Sequence, residues 1–111
     1  MAYLTFDRKK LRHNYRYLEN LFRNHNIEWA IVTKMLCGVE AYLQEVIDLG
    51  IKEVCDARIS NLKKIKEMAP PDLQTVYIKP PAQKQIPAVV KYADASFNSE
   101  YETIKALSKE S

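Results

Sequence analysis

Four polar side chains stand where apolar runs give out: Lys34, Arg58, Lys79 and Asn98. Each closes or closely follows a short stretch rich in aliphatic and β-branched residues, which places it at the carboxyl end of a strand. Parallel α/β folds build their sites at that end. Lys34, Arg58 and Lys79 are cationic, so the set favours an anionic ligand such as a phosphate or a carboxylate. Lys34 is the sharpest of the four. It ends the run Trp29-Ala30-Ile31-Val32-Thr33 without a polar transition, and a glycine, Gly38, follows soon after.

The elements that must hold these residues alternate in type. Ala2 to Phe6 reads as a short strand-like lead-in, and Asp7 as the N-cap of a helix whose stripe is Leu11, Tyr15, Leu18, Leu21 and Phe22. Trp29 to Thr33 is the first strand of the repeat. By alternation Ala30, Val32 and Lys34 share one face, the interior of a sheet or barrel. Trp29, Ile31 and Thr33 share the other, against covering helices. A helix over Glu40–Leu49 follows, with Gly50 as its stop, then a strand Ile51–Ala57 closing on Arg58. Ser60 caps a third helix that ends at Pro70-Pro71. Leu73–Ile78 is a strand, and Gln83–Tyr92 a helix that tolerates Pro87 only in its first turn. Ala93–Phe97 is a strand, and Ser99 with Glu102 forms a capping box for a last helix, Ser99–Lys109. Strand and helix repeating in this way imply parallel strands with helical crossovers. The expected fold is therefore α/β, about four parallel βα units.

Composition bounds the rest. At 111 residues the chain makes one domain or part of one, and its net charge of +3 is spread over mixed helical surfaces. No basic stripe with interleaved aromatics suggests nucleic acid; Tyr77, Tyr92 and Tyr101 are scattered and form no stacking platform. No apolar run approaches the ~20 residues that cross a bilayer. Cys37 and Cys55 have neither zinc-ligand nor disulfide spacing, so a reducing cytoplasm is the expected location. Cys55 reads as core and Cys37 as a small buried residue; His13 and His25 read as helix-surface residues.

Taken together, the motifs resemble a known family. Val32-Thr33-Lys34-Met35-Leu36-Cys37-Gly38 is similar to the lysine-bearing strand of the alanine-racemase-like, fold-type III amino-acid racemases, nearest in its Val-Thr-Lys and Cys-Gly to the ornithine-racemase-type branch. Asp7 to Tyr17, with Leu11 and Asn14, resembles that family's opening helix. Asp56-Ala57-Arg58-Ile59-Ser60-Asn61-Leu62 resembles its Asp-Ser-Arg-Ile-x-Asn segment, Ala57 departing from the serine. Asn98-Ser99-Glu100 resembles its Asn-Ser-Glu segment.

The resemblance implies the N-terminal half, residues 1–111, of a pyridoxal-phosphate-binding (βα)8, TIM-type barrel. It implies an amino-acid racemase in which Lys34 forms the Schiff base with the cofactor aldehyde and exchanges the substrate α-proton. Both tasks need a neutral amine, which burial beside other cations would favour. Arg58 falls in the matching motif as a cofactor-binding residue, whereas Lys79 stands where the family pattern has arginine and loses the planar fork. The second proton-transfer residue and the main phosphate-binding loops belong to later sequence, so the 111 residues alone are expected to be inactive. A complete barrel takes about 250 residues, and half of one leaves open sheet edges. A second copy of the chain, in a homo-oligomer, is the expected cover. The alternative is a pyridoxal-phosphate homeostasis barrel, which shares the lysine without racemizing amino acids but carries a Gly-Glu-Asn type segment where this chain has Asp56-Ala57-Arg58.

Overall fold

The computed structural model describes residues 2–111. Its four strands, β1 Ile31–Val32, β2 Glu53–Asp56, β3 Gln74–Tyr77 and β4 Ala95–Ser96, lie side by side in chain order, and every neighbouring pair is parallel. Five helices alternate with them: α1 Arg8–Asn24, α2 Glu40–Ile47, α3 Ile59–Met68, α4 Ile86–Tyr92 and α5 Tyr101–Glu110. Parallel neighbours need crossovers, and crossovers are right-handed. With each strand added on the same side, all the crossover helices fall on one face. The fold is thus α/β, a partial TIM-type barrel of about four βα units.

The register separates the two faces. Ile31 pairs with Val54, and Val54 with Thr75; Asp56 pairs with Tyr77. This side meets the helices. Val54 and Tyr77 pack with Leu43, Val46 and Ile47 of α2, Leu62 and Ile65 of α3, and Val89 of α4. The other side carries the row Val32, Cys55, Val76 and Ala95, of which Val32 is 46% exposed. The predicted division therefore holds, Trp29 and Ile31 packing toward the helices and Val32 turned away from them. Trp29 pins α1 by stacking on Tyr15, ring centres 5.4 Å apart, and by donating from Nε1 to Glu19 Oε2 at 2.7 Å. That bond and the Arg23 guanidinium hold the Glu19 carboxyl below its usual range.

Several element boundaries differ from expectation. Ala2–Phe6 forms no strand; Phe6 stacks on Tyr42 instead. β1 and β4 have two residues each, because an outer strand has a ladder partner on one side only. Asp7 does cap α1, accepting from Lys10 N at 3.0 Å. Ser60 does not cap α3, which already begins at Ile59 with Arg58 in the cap position. No capping box opens α5: Glu100 precedes its first residue and makes no side-chain cap. The fourth helical stretch divides into a 3₁₀ turn at Gln83–Gln85 and α4, whose first turn contains Pro87.

At the amino end of the sheet, Asp94 ties three elements together. Its Oδ2 accepts from Thr75 N at 2.8 Å and from Lys66 of α3. Burial pushes its carboxyl up, but the Lys66 and Thr75 hydrogen bonds outweigh this and hold it below the ordinary 3.8. A depressed carboxylate adds stability that is present above the unfolded-state value and lost as pH falls through the folded one. An Asp94→Asn variant is expected to be less stable than wild type by about 1 kcal/mol at neutral pH. The gap should close as pH falls below about 3.8; urea unfolding at pH 7 and in steps below pH 4 checks both.

Candidate active site

The carboxyl ends of the strands are knitted by one buried carboxylate. Beyond β1 the chain passes through Thr33, fully buried, into a 3₁₀ turn at Lys34–Leu36. Leu36 N closes that turn on Thr33 O at 2.9 Å. The Thr33 hydroxyl donates to Asp56 Oδ2 at 2.8 Å, at the end of β2. The other oxygen, Oδ1, accepts from Arg58 N at 2.9 Å and from Asn61 Nδ2 at 3.1 Å. Asp56 is 0% exposed. A carboxyl group at such a position must find hydrogen-bond partners, and three segments supply them.

The loop after Lys34 is gripped from α3. Cys37 and Gly38 both adopt left-handed conformations, φ 54° and 70°. A Cβ on Gly38 would lie 2.3 Å from Asn61 Oδ1, whose amide nitrogen is already committed to Asp56. Lys64 Nζ donates to Gly38 O at 3.0 Å. Glycine is needed here for its backbone and for its missing side chain alike.

Lys34 itself is exposed at the head of the 3₁₀ turn, and among the described residues its amine takes part in no hydrogen bond or ion pair. The burial expected for it is not supplied by these four βα units. Arg58 is exposed, and its guanidinium pairs with neither Asp56 nor Glu53; Asp56 is filled from the Arg58 backbone instead. β1 and β2 are neighbours, and Lys34 directly follows Thr33, so Lys34 and Arg58 flank the Thr33–Asp56 bond. Lys79 is exposed one strand further along, beyond β3. Asn98, past β4, donates from Nδ2 to Ser96 Oγ at 2.8 Å, while its Oδ1 is buried without a partner.

Cys37 is exposed, not buried as expected, because the left-handed residue closing the 3₁₀ turn carries its side chain outward. Cys55 is buried, and burial together with the Glu53 carboxylate pushes its thiol up, which keeps it protonated and inert. His13 and His25 are exposed; the His25 ring is tied to Leu21 O. Thr33, Asp56 and Asn61 are the residues that sequence reasoning did not assemble into a unit. The available signal was a threonine and an aspartate closing two successive apolar strands, with an asparagine one helical turn later.

Fold and site together define a segment of a parallel βα barrel with, on its carboxyl rim, a lysine amine that has no partner among the described residues. Over 106 residues, 96% of the chain, the sequence is 35% identical to the ornithine racemase of Acetoanaerobium sticklandii. The chain spans 29% of the length of that relative. The resemblance to the alanine-racemase-like, fold-type III racemases is therefore borne out along nearly the whole chain. No family model matches, and no solved structure matches.

A Gly38→Ala substitution should cost about 1–3 kcal/mol from the left-handed backbone alone, with further loss as Asn61 is pushed off Asp56. Gly50→Ala is the matched control, since its φ is also positive at 85° but nothing lies within 4 Å of the added carbon. Chemical denaturation of both variants should show Gly38→Ala the more destabilised.

Proposed function

We propose that the chain is the N-terminal, cofactor-anchoring part, residues 1–111, of a pyridoxal-phosphate-dependent amino-acid racemase. The observation that carries this reading is an unpaired lysine at the end of β1 in a sequence that matches an ornithine racemase over 96% of its length.

The residues present fit part of such a cofactor. Lys34 offers an amine without competing partners for an aldehyde, and Arg58 an exposed guanidinium for an anionic oxygen on the same rim. The Val32, Cys55 and Val76 row gives an apolar floor beside them. When bound, pyridoxal phosphate supplies a conjugated ring that accepts electron density from the substrate α-carbon. Lys34 Nζ is the group that then takes and returns the α-proton on one face of the substrate. Thr33, Asp56 and Gly38 fix the turn from which Lys34 reaches, and the protonated Cys55 offers no rival nucleophile. The Asp56-Ala57-Arg58 segment and the racemase relative favour this reading over a homeostasis barrel. Cytoplasmic placement is part of the proposal, consistent with two free cysteines and with no helix among the described residues being long and apolar enough to cross a membrane.

The labelling experiment is direct. Incubation with pyridoxal phosphate, borohydride reduction and peptide mass mapping should place the adduct on Lys34, and Lys34→Ala should lose it. The 111 residues alone should show no racemization. Adduct spread evenly over the surface lysines would refute cofactor anchoring.

Among the described residues the outer edges of β1 and β4 are unpaired, and both strands run in the same direction. A second copy can therefore present its β1 to β4 in parallel, and its β4 to β1, giving a homodimer of the 111-residue chain. Light scattering on a size-exclusion column should show a dimer at micromolar concentration. A monomer throughout that range rules the pairing out.

A further inference from the structure

We infer that Asp56 is a positioning residue for Lys34 and Arg58, a role that rests on the reading of Lys34 as the aldehyde-reactive amine. The carboxylate is fully buried, yet none of the cations among the described residues pairs with it. Its partners are three neutral donors, one from each segment that meets at the rim: Thr33 Oγ1 at 2.8 Å, Arg58 N at 2.9 Å and Asn61 Nδ2 at 3.1 Å. Lys34 follows Thr33 in sequence and starts a turn whose closing bond, Leu36 N to Thr33 O, depends on where Thr33 is held. Arg58 is fixed through its own amide. The third donor, Asn61, also abuts Gly38, so the far end of the Lys34 loop is set by the same side chain. A single acceptor thus determines both ends of the loop that bears the amine and the start of the segment that bears the guanidinium.

What this arrangement requires is acceptor geometry rather than charge. An asparagine at 56 would keep Oδ1 for Arg58 N and Asn61 Nδ2. The Thr33 hydroxyl could then turn to accept from the amide and donate to Cys55 O, already 3.3 Å away. An alanine at 56 satisfies none of the three donors and leaves a void.

The test compares wild type, Asp56→Ala, Asp56→Asn and Asn61→Ala in the 111-residue chain, each first shown to unfold cooperatively. Two readouts are taken. One is the share of reductive labelling that falls on Lys34 relative to the other lysines of the same molecule, with formaldehyde and with pyridoxal phosphate. The other is amide hydrogen exchange at Leu36 and Arg58. Asp56→Ala should lower the Lys34 share about tenfold, the scale of one lost hydrogen bond to a carboxylate, and should speed exchange at both amides. Asp56→Asn should restore most of each, and Asn61→Ala should fall between. An unchanged Lys34 share and unchanged exchange in folded Asp56→Ala overturn the inference. So does Asp56→Asn falling as far as Asp56→Ala. Should Asp56→Ala fail to fold, an unaltered Asn61→Ala overturns it equally. If pyridoxal phosphate does not single out Lys34 in wild type, the proposed function fails, while formaldehyde labelling and exchange still decide the role of Asp56.

Discussion

A carboxyl group taken wholly out of water, in an ion pair with none of the cations among the described residues, is the constraint on which the rim depends. Removing a polar group from water is costly, and the cost is offset by the hydrogen bonds it finds inside. Asp56 takes its donors from the end of β1, from the turn after β2 and from the first turn of α3. A shift in any of these segments costs it one of its three donors. Local stiffness at the strand ends therefore comes from satisfying one buried group, and it is delivered where Lys34 and Arg58 leave the sheet.

The remainder of the fold follows from crossover handedness. Strands laid down in chain order put the crossover helices on one face and, among the described residues, leave the other face and both edges open. The core forms entirely between sheet and helices, centred on Leu43, Val54, Leu62, Ile65 and Tyr77. Four units are thus enough to make a core, but not to enclose the space above Lys34. Its exposure is a direct consequence: in a parallel barrel the walls of a site come from loops all around the ring, and this chain contributes one arc.

The sequence made the architecture and the place of Lys34 legible because both are written in strong local signals. Apolar runs broken by glycine and proline mark the strands, and a lysine closing such a run marks a rim. Helix starts were less legible. Ser60 and Ser99 are good caps by residue type, yet α3 begins earlier, at Ile59, with its preceding amide given to Asp56, and α5 begins later, behind Glu100. The Thr33–Asp56–Asn61 unit was hidden for a different reason. Its members are separated along the chain and meet only once β1 and β2 are in register, which no local pattern specifies. Cys37 was misjudged because thiols favour burial, and here the backbone conformation decides instead.

The two ends of the sheet use the same pairing of residue types to different effect. Thr33 at the carboxyl end of β1 faces Asp56 on the neighbouring strand, and Thr75 at the amino end of β3 faces Asp94 just before β4. At the amino end the aspartate is paired with Lys66 and about a third exposed. At the carboxyl end the aspartate is sealed from water and given only neutral donors, although Lys34 and Arg58 lie on either side of it in the chain. Had either cation been drawn into an ion pair with Asp56, its side chain would be committed and withdrawn from the rim. Satisfying the carboxyl group with a hydroxyl, a backbone amide and a side-chain amide fixes the scaffold while leaving both cations outside any ion pair among the described residues.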